Sequence, residues 1–315
     1  MKVTVKFAEV LLVLVAAVMS AHGQTCNFEL LGFTMTLKND CTITETVQIP
    51  DGMTLDGANH TITAVVDPNT GTFNSSSLIE TIGSTANLKN LILDAPNLPG
   101  SSDCPGGIGV LFSASGSITN NHILHMGRNC GNFQGIGILA INDCGGQPNI
   151  KTVTVTGNKV YLPNARALLV FGEVRMTASK NLLSGGVGAE FLECSSGSLT
   201  NNDIEATSNL EAIGLFGARG GVSVLRNNIN LGAGIVASGI WIASDSAIVN
   251  RNRIFDFGPA GTLSNPAGGL VAIKNLGDTC FNGICNTVTH NTARCYATPF
   301  MNASSPTNVA LPCPF

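Results

Sequence analysis

The sequence predicts an all-β solenoid, a stack of short parallel strands, and three observations carry that expectation. The first is a recurring turn. The stretches ITNNHI, VTGNKV, ASKNLL, LTNNDI, VLRNNI, NRNRI and VTHNTA align on Asn121, Asn158, Asn181, Asn202, Asn227, Asn252 and Asn291, with spacings of 37, 23, 21, 25, 25 and 39 residues. A period in the low twenties, lengthened where loops are inserted, marks a repeat architecture. The second is an apolar element ahead of each asparagine: GIGVLF, GIGILA, ALLVF, GVGAEF, AIGLF, GIWIA and GGLVAI. Such runs are short, branched or bulky, and bounded by Gly or Ser, which favours strands over helices. The third is that no stretch beyond the first residues keeps a helical period.

Taken in order, the chain opens on MKVTVKFAEVLLVLVAAVMSAHGQ. Lys2 and Lys6 precede an apolar run from Val10 to Met19, and small residues follow. This pattern is that of a secretory signal cleaved after Gly23; the run is shorter than the ~20 apolar residues a membrane span needs. Segment 24–50 is expected as an N-terminal cap, 51–293 as the solenoid, and 294–315 as a Pro-rich tail stapled over the last coil. Removal of the leader takes Lys2, Lys6 and Glu9 with it, so the formal charge moves from −4 to −5. That mildly acidic balance, with 11% charged residues, argues against nucleic acid or an electrostatic membrane contact as partner.

All ten cysteines lie beyond the leader, and an even number in an exported chain reads as disulfides. Close neighbours pair first: Cys26 with Cys41, Cys280 with Cys285, Cys295 with Cys313. Several pairings stay open for Cys104, Cys130, Cys144 and Cys194. A Cys26–Cys41 bridge closes a loop of 15 residues, worth roughly 3 kcal/mol in the chain-entropy model. Sequons make Asn59, Asn74 and Asn302 glycan acceptors.

A coil of some twenty residues cannot bury its own apolar face, but coils stacked at ~4.8 Å share a continuous core. The asparagines then belong to one turn repeated from coil to coil. There Asn tolerates left-handed backbone, and its amide reaches the equivalent groups above and below. An earlier LKNLIL adds Asn90 as a further candidate for the series. The Ile two positions after each asparagine is expected in the core, with neighbouring glycines giving the backbone room to bend.

The Asn-x-Ile and Gly-Ile-x-Ile units, from Asn90 to Ala293, resemble those of right-handed parallel β-helix proteins of the pectate-lyase-like superfamily. The segment NDCTITETVQIPDGMTLDGANHTITA is similar to the opening coil of many secreted members. The resemblance implies a single right-handed parallel β-helix. It does not imply the best-known activities. Pectate and pectin lyases carry Arg-x-Pro-x-x-Arg, and no arginine here begins that stretch. Polygalacturonases carry Asn-Thr-Asp, Asp-Asp and Gly-His-Gly, none of which is present.

A weaker constellation follows the Gly-Ile strands: Asp143, then Glu173 and Arg175, then Glu193, Arg219, Asp245 and Lys274. Coils in register would line these up on one flank, beside Trp241 and Phe216. Glu193, Arg219 and Asp245 are the catalytic candidates, and Asp143, Arg175, Trp241 and Lys274 the substrate-binding ones. A carboxylate and an arginine would serve as acid and base while an indole ring stacks on a pyranose. The alternative is a surface ladder of alternating charges, each pair worth less than ~1 kcal/mol. Strand alternation turns one of Glu190 and Glu193 outward and leaves the other ambiguous. His122 and His125 lack a third ligand for a metal site, and no metal or cofactor is expected. Two functions fit. One is an extracellular glycan-binding protein or polysaccharide lyase or hydrolase of unusual type; the other is a non-catalytic structural or adhesive protein of the matrix or cell surface.

Overall fold

The computed structural model describes residues 26–73, 75–96, 98, 107–126, 135–145, 149–207, 211–218, 221–231, 238–244, 246–256, 271–276, 286–294, 298–303 and 305–311. The leader therefore lies outside the described residues, as do Asn74, Arg219, Asp245, Cys104, Cys130, Cys280, Cys285, Cys295 and Cys313. Every element described is a β-strand, and no described helix is long and apolar enough to cross a membrane.

The chain coils around three parallel ladders. Ladder I starts with Thr34–Leu37, Met53–Asp56, Thr85–Lys89, Ser115–Thr119 and Lys151–Thr156. It continues through Val174–Ser179, Ser196–Thr200, Val222–Leu225, Ile248–Asn250 and Thr287–Thr289. Ladder II runs from Cys41–Ile43 to Val309–Leu311, and ladder III from Val47–Ile49 to Thr298–Met301. In two coils the strand does not break between II and III: Lys159–Phe171 and Leu182–Leu192 run through the corner and fuse the two ladders into one 19-stranded sheet. The fold is a parallel β-helix.

Strand alternation puts one aliphatic column from each ladder inside. Leu55, Leu88, Ile118, Val155, Ala178, Leu199, Val224, Val249 and Val288 are in register in ladder I. Ile62, Leu93, Ile123, Val160, Leu183, Ile204, Ile229, Ile254 and Ala293 form the column of ladder II. Ile79, Val110, Ile138, Leu168, Ala189, Ile213, Ile240 and Ile273 form that of ladder III. Burying each large aliphatic side chain contributes about 1.5–3 kcal/mol, so the core grows with each added coil.

The expected asparagines occupy the corner between ladders I and II, and they are buried, 0–2% exposed. The Oδ1 of Asn227 accepts from the backbone N–H of Asn202 at 2.9 Å and from its Nδ2 at 3.0 Å, while the same Nδ2 donates to the carbonyl of Ala178 at 3.1 Å. The pattern repeats from Asn121 through Asn158, Asn181, Asn202, Asn227 and Asn252 to Asn291, and ends on Asn308. Two details differ from expectation. The left-handed residue is the one before the ladder asparagine: Asn120, Gly157, Lys180, Asn201, Arg226, Arg251 and His290 have φ of +55° to +70°. Asn90, at φ +53°, belongs to that outer column, and Leu91 takes the ladder place, its N–H donating to Asn121 Oδ1 at 3.0 Å.

The glycines of the Gly-Ile strands also have a different reason from bending. Gly109, Gly137, Gly188 and Gly239 share an inward column with Ala167, Ala212 and Ala272 at the start of ladder III. A Cβ on Gly188 would stand 2.3 Å from Ile204 Cγ2, and one on Gly239 2.6 Å from Ile254 Cγ2. Where the column has glycine, at 109, 137, 188 and 239, the space is filled by Ile123, Val160, Ile204 and Ile254, so the two motifs form one packing unit.

At the N-terminal end, Phe28–Leu31 pairs antiparallel with Thr34–Leu37 and covers the first edge. Parallel pairing begins at Thr34. Cys26 is bonded to Cys41, with Cα atoms 5.2 Å apart. Cys144 is bonded to Cys194, one of the pairings left open by the sequence. Segment 294–315 adds strands to the helix, as Thr298–Met301 pairs with Val271–Asn275.

Replacing Asn202 by Ala strips partners from the buried N–H of Asn181 and the carbonyl of Ala178, so we expect a loss of about 1–3 kcal/mol in denaturant unfolding. An unchanged midpoint would mean that the ladder does not hold the corner. Non-reducing peptide mapping should recover Cys26 with Cys41 and Cys144 with Cys194, and alkylation of Cys144 in the intact protein would contradict the latter bridge.

Candidate functional site

The outward face of ladder III carries residues unlike those elsewhere on the helix. Its central column reads Leu169, Glu190, Gly214, Trp241, Lys274 and Met301 in exact register from coil to coil. Alternation fixes this face, since the neighbours Ala189, Phe191, Ile213 and Leu215 are all buried in the core.

Gly214 is the key to the local shape. In the AIGLF unit its glycine stands two places later than in the other Gly-Ile units, outside the small-residue column and on the outer face. A Cβ there would meet Phe216 Cε2 at 2.5 Å and Glu211 Oε1 at 3.0 Å. The missing side chain is therefore a notch into which the Phe216 ring and the Glu211 carboxylate fold. Phe216 meets Trp241 edge to face, centroids 5.5 Å apart and planes at 73°. On the far side Lys274 Nζ lies 4.0 Å from the Trp241 ring centroid, a cation–π contact. The Trp241 Nε1 is buried with no hydrogen-bond partner among the described residues, a cost an indole donor rarely carries.

Below the notch stand two buried carboxylates, Glu190 and Glu211, each 5% exposed. Their surroundings differ. Arg166, reaching from the preceding coil, places Nε 2.5 Å from Glu190 Oε2. Burial pushes the pKa of Glu211 above the usual carboxylate range. The charge of Glu190 pushes the same way, while the Glu211 backbone N–H and the charge of Arg166 oppose the rise. Glu211 therefore favours its protonated form, and Glu190 is paired with Arg166.

The residues singled out from the sequence do not gather at one point. Trp241 and Lys274 are adjacent in this column, with Phe216 against them. Glu193 lies beyond the end of its strand, exposed and at φ +54°, under Gly217, so Glu190 is the outward carboxylate within the strand. Asp143 and Glu173 occupy the corner from ladder III to ladder I, where Asn142 Nδ2 donates to the Glu173 carbonyl at 3.2 Å. Arg175 is exposed on ladder I, paired between Thr152 and Ser196. Asn59 and Asn302 are exposed. His125 Nδ1 lies 2.7 Å from Asp94 Oδ1, burial and Lys159 lower the pKa of His122, and no cluster able to hold a metal occurs among the described residues.

Sequence reasoning missed Glu211 and Arg166. The shifted glycine of AIGLF was the available signal for Glu211. Arg166 had none, because ALLVF gives no hint that its upstream residue reaches the next coil.

No family model matches the chain, and no curated protein matches its sequence. Among solved structures it is similar to a T265N mutant of the periplasmic alginate epimerase AlgG, with TM-score 0.44 and 13% identity, over 90% of this chain and 78% of that one. It is also similar to the A-module of the mannuronan C-5 epimerase AlgE6 of Azotobacter vinelandii, with TM-score 0.36 and 12% identity, over 89% and 91% of the two chains. The likeness is one of fold, and the functional reading rests on the residues of this site.

The raised pKa of Glu211 has a sign that can be checked. Its protonated form is favoured in the folded state, so the stability it contributes is full below the unfolded value near 4.5 and is lost as pH rises through the folded value. Glu211→Gln, which cannot ionise, should match the parent's melting temperature at pH 4 and exceed it at pH 7 to 8. Equal melting temperatures across that range would remove the case for a buried, reluctant acid.

Proposed function

We propose that this protein is exported and that the outer face of ladder III binds a polysaccharide chain and performs acid–base chemistry on it. The observation that carries the reading is the Glu190–Glu211 pair of unlike carboxylates set beside the Phe216–Trp241–Lys274 platform. An aromatic face with a cation against it suits the apolar face and the oxygens of a sugar ring. Glu211 supplies the proton, Glu190 the base, and Arg166 orients Glu190 through their ion pair. The two disulfides support an oxidising compartment. A regular face several coils long suits a linear chain better than a small molecule. The second reading is a non-catalytic rod of the matrix or cell surface. It is favoured by the absence of the lyase and polygalacturonase motifs and by the rigidity that the asparagine ladder confers.

A glycan array with the mature protein tests the first reading, followed by turnover of whichever glycan binds. Glu211→Gln should keep binding and lower turnover by about 10²–10⁴-fold, the contribution of a positioned general acid. Trp241→Ala should lower affinity by up to about tenfold, since aromatic contacts of this kind are worth ~0.5–1.5 kcal/mol. A parent protein that binds no glycan would leave the rod as the reading to pursue. Binding with unaltered turnover in Glu211→Gln would reduce the site to a recognition surface.

A further inference from the structure

A second polar surface lies away from ladder III, on the asparagine corner. A groove of about 530 Å³ is lined by Asp203, Arg226, Asn227, Asn228, Arg251 and Arg253. Arg226 and Arg251 are the left-handed residues of two successive coils, at φ +56° and +57°, so they stack one above the other. Arg253 stands two places on, in register with Asn228 and Asp203. All three arginines are exposed, and none makes an ion pair or a side-chain hydrogen bond among the described residues. Lys180 and His290 belong to the same left-handed column, two coils before Arg226 and one after Arg251.

Nothing in the fold requires this arrangement. The left-handed position accepts Asn at 120 and 201 and Gly at 157, residues better suited to φ > 0 than arginine. Stacking like charges on neighbouring strands destabilises a sheet, and this chain is acidic overall. Three guanidinium groups without an ion pair among the described residues, held at a corner pinned by buried Asn227 and Asn252, form a preorganised receptor for oxyanions, which they bind bidentately. Their repeat at the ~4.8 Å coil spacing matches a linear polyanion rather than a single ion. Asp203 and Asn228 on the groove wall suit hydroxyl groups between the charges. Among the described residues no aromatic side chain lines the groove to stack a nucleobase.

We propose that this corner groove binds a linear anionic glycan, through carboxylate or sulfate groups, at a site separate from the ladder III face. The inference is independent of the function proposed for that face. Substitutions drawn from the same columns of neighbouring coils test it without disturbing the fold: Arg226→Asn, Arg251→Asn and Arg253→Thr, which copy Asn201, Asn120 and Thr292. The mature parent, this triple variant and Trp241→Ala are titrated by calorimetry with an oligogalacturonate, a heparin oligosaccharide, a neutral cello-oligosaccharide and single-stranded DNA, at 20 and 200 mM salt.

The expected result is binding of an anionic glycan that weakens at least tenfold in the triple variant and with added salt. Which of the two anionic probes binds tells carboxylate from sulfate recognition. Parent-like affinity in the triple variant would overturn the proposal. So would equal binding of the neutral oligosaccharide, tighter binding of DNA than of either anionic glycan, or no binding of an anionic probe. Loss of anionic binding in Trp241→Ala alone would move the anion site to ladder III. Matched melting temperatures for parent and variants exclude unfolding as the cause of any loss.

Discussion

The hydrogen bond from one buried asparagine to the next is the interaction on which the rest of this molecule depends. At the corner between ladders I and II the chain turns within two residues, and the N–H of the second points inward, away from water. Left alone it would cost the desolvation of a buried donor. The Oδ1 of the asparagine one coil on accepts both that N–H and the amide beneath it, as Asn252 does for Asn227 at 2.9 and 3.0 Å. The Nδ2 then spends its remaining hydrogen on a carbonyl of the preceding coil. Each side chain is satisfied only when its neighbours are in place, so the ladder resists slippage of any one coil.

Fixed register has consequences on every face. Inside, it aligns the three aliphatic columns and lets each Asn-x-Ile side chain meet the glycine or alanine opposite it. Outside, it turns single residues into lines. Glu190, Gly214, Trp241 and Lys274 come from four coils and are separated by 24 to 33 positions in sequence, yet they are consecutive neighbours across ladder III. The arginines of the corner are aligned by the same bonds, one residue outside the ladder they flank. The helix thus offers an acidic and aromatic face on one side and a basic edge on another, both held by one buried amide chain.

Glu211 and Glu190 show how such a scaffold sets chemistry. Both are carboxylates removed from water to the same extent. Arg166 makes its ion pair with Glu190. Burial favours the protonated form of Glu211, while Glu190 is the carboxylate that pairs with Arg166. The notch that admits Glu211 exists because position 214 has no side chain, so backbone composition on the outer face decides where a proton can be held.

By itself the sequence determined the repeat and therefore the fold. The asparagine spacing, the Asn-x-Ile pairs and the Gly-Ile runs are local patterns whose period is visible in one dimension, and Cys26 and Cys41 are close enough in sequence to be paired. It also placed Trp241 and Lys274 together on one flank. What it did not determine was which residue of each turn is left-handed, why the glycines are small, or which carboxylates meet. Those depend on contacts between coils, where a shift of one position moves a side chain from one face to the other. The bridge from Cys144 to Cys194 spans 50 residues, and Arg166 reaches Glu190 across 24. Only stacking, which sets those coils side by side at a fixed register, brings such residues within bonding distance.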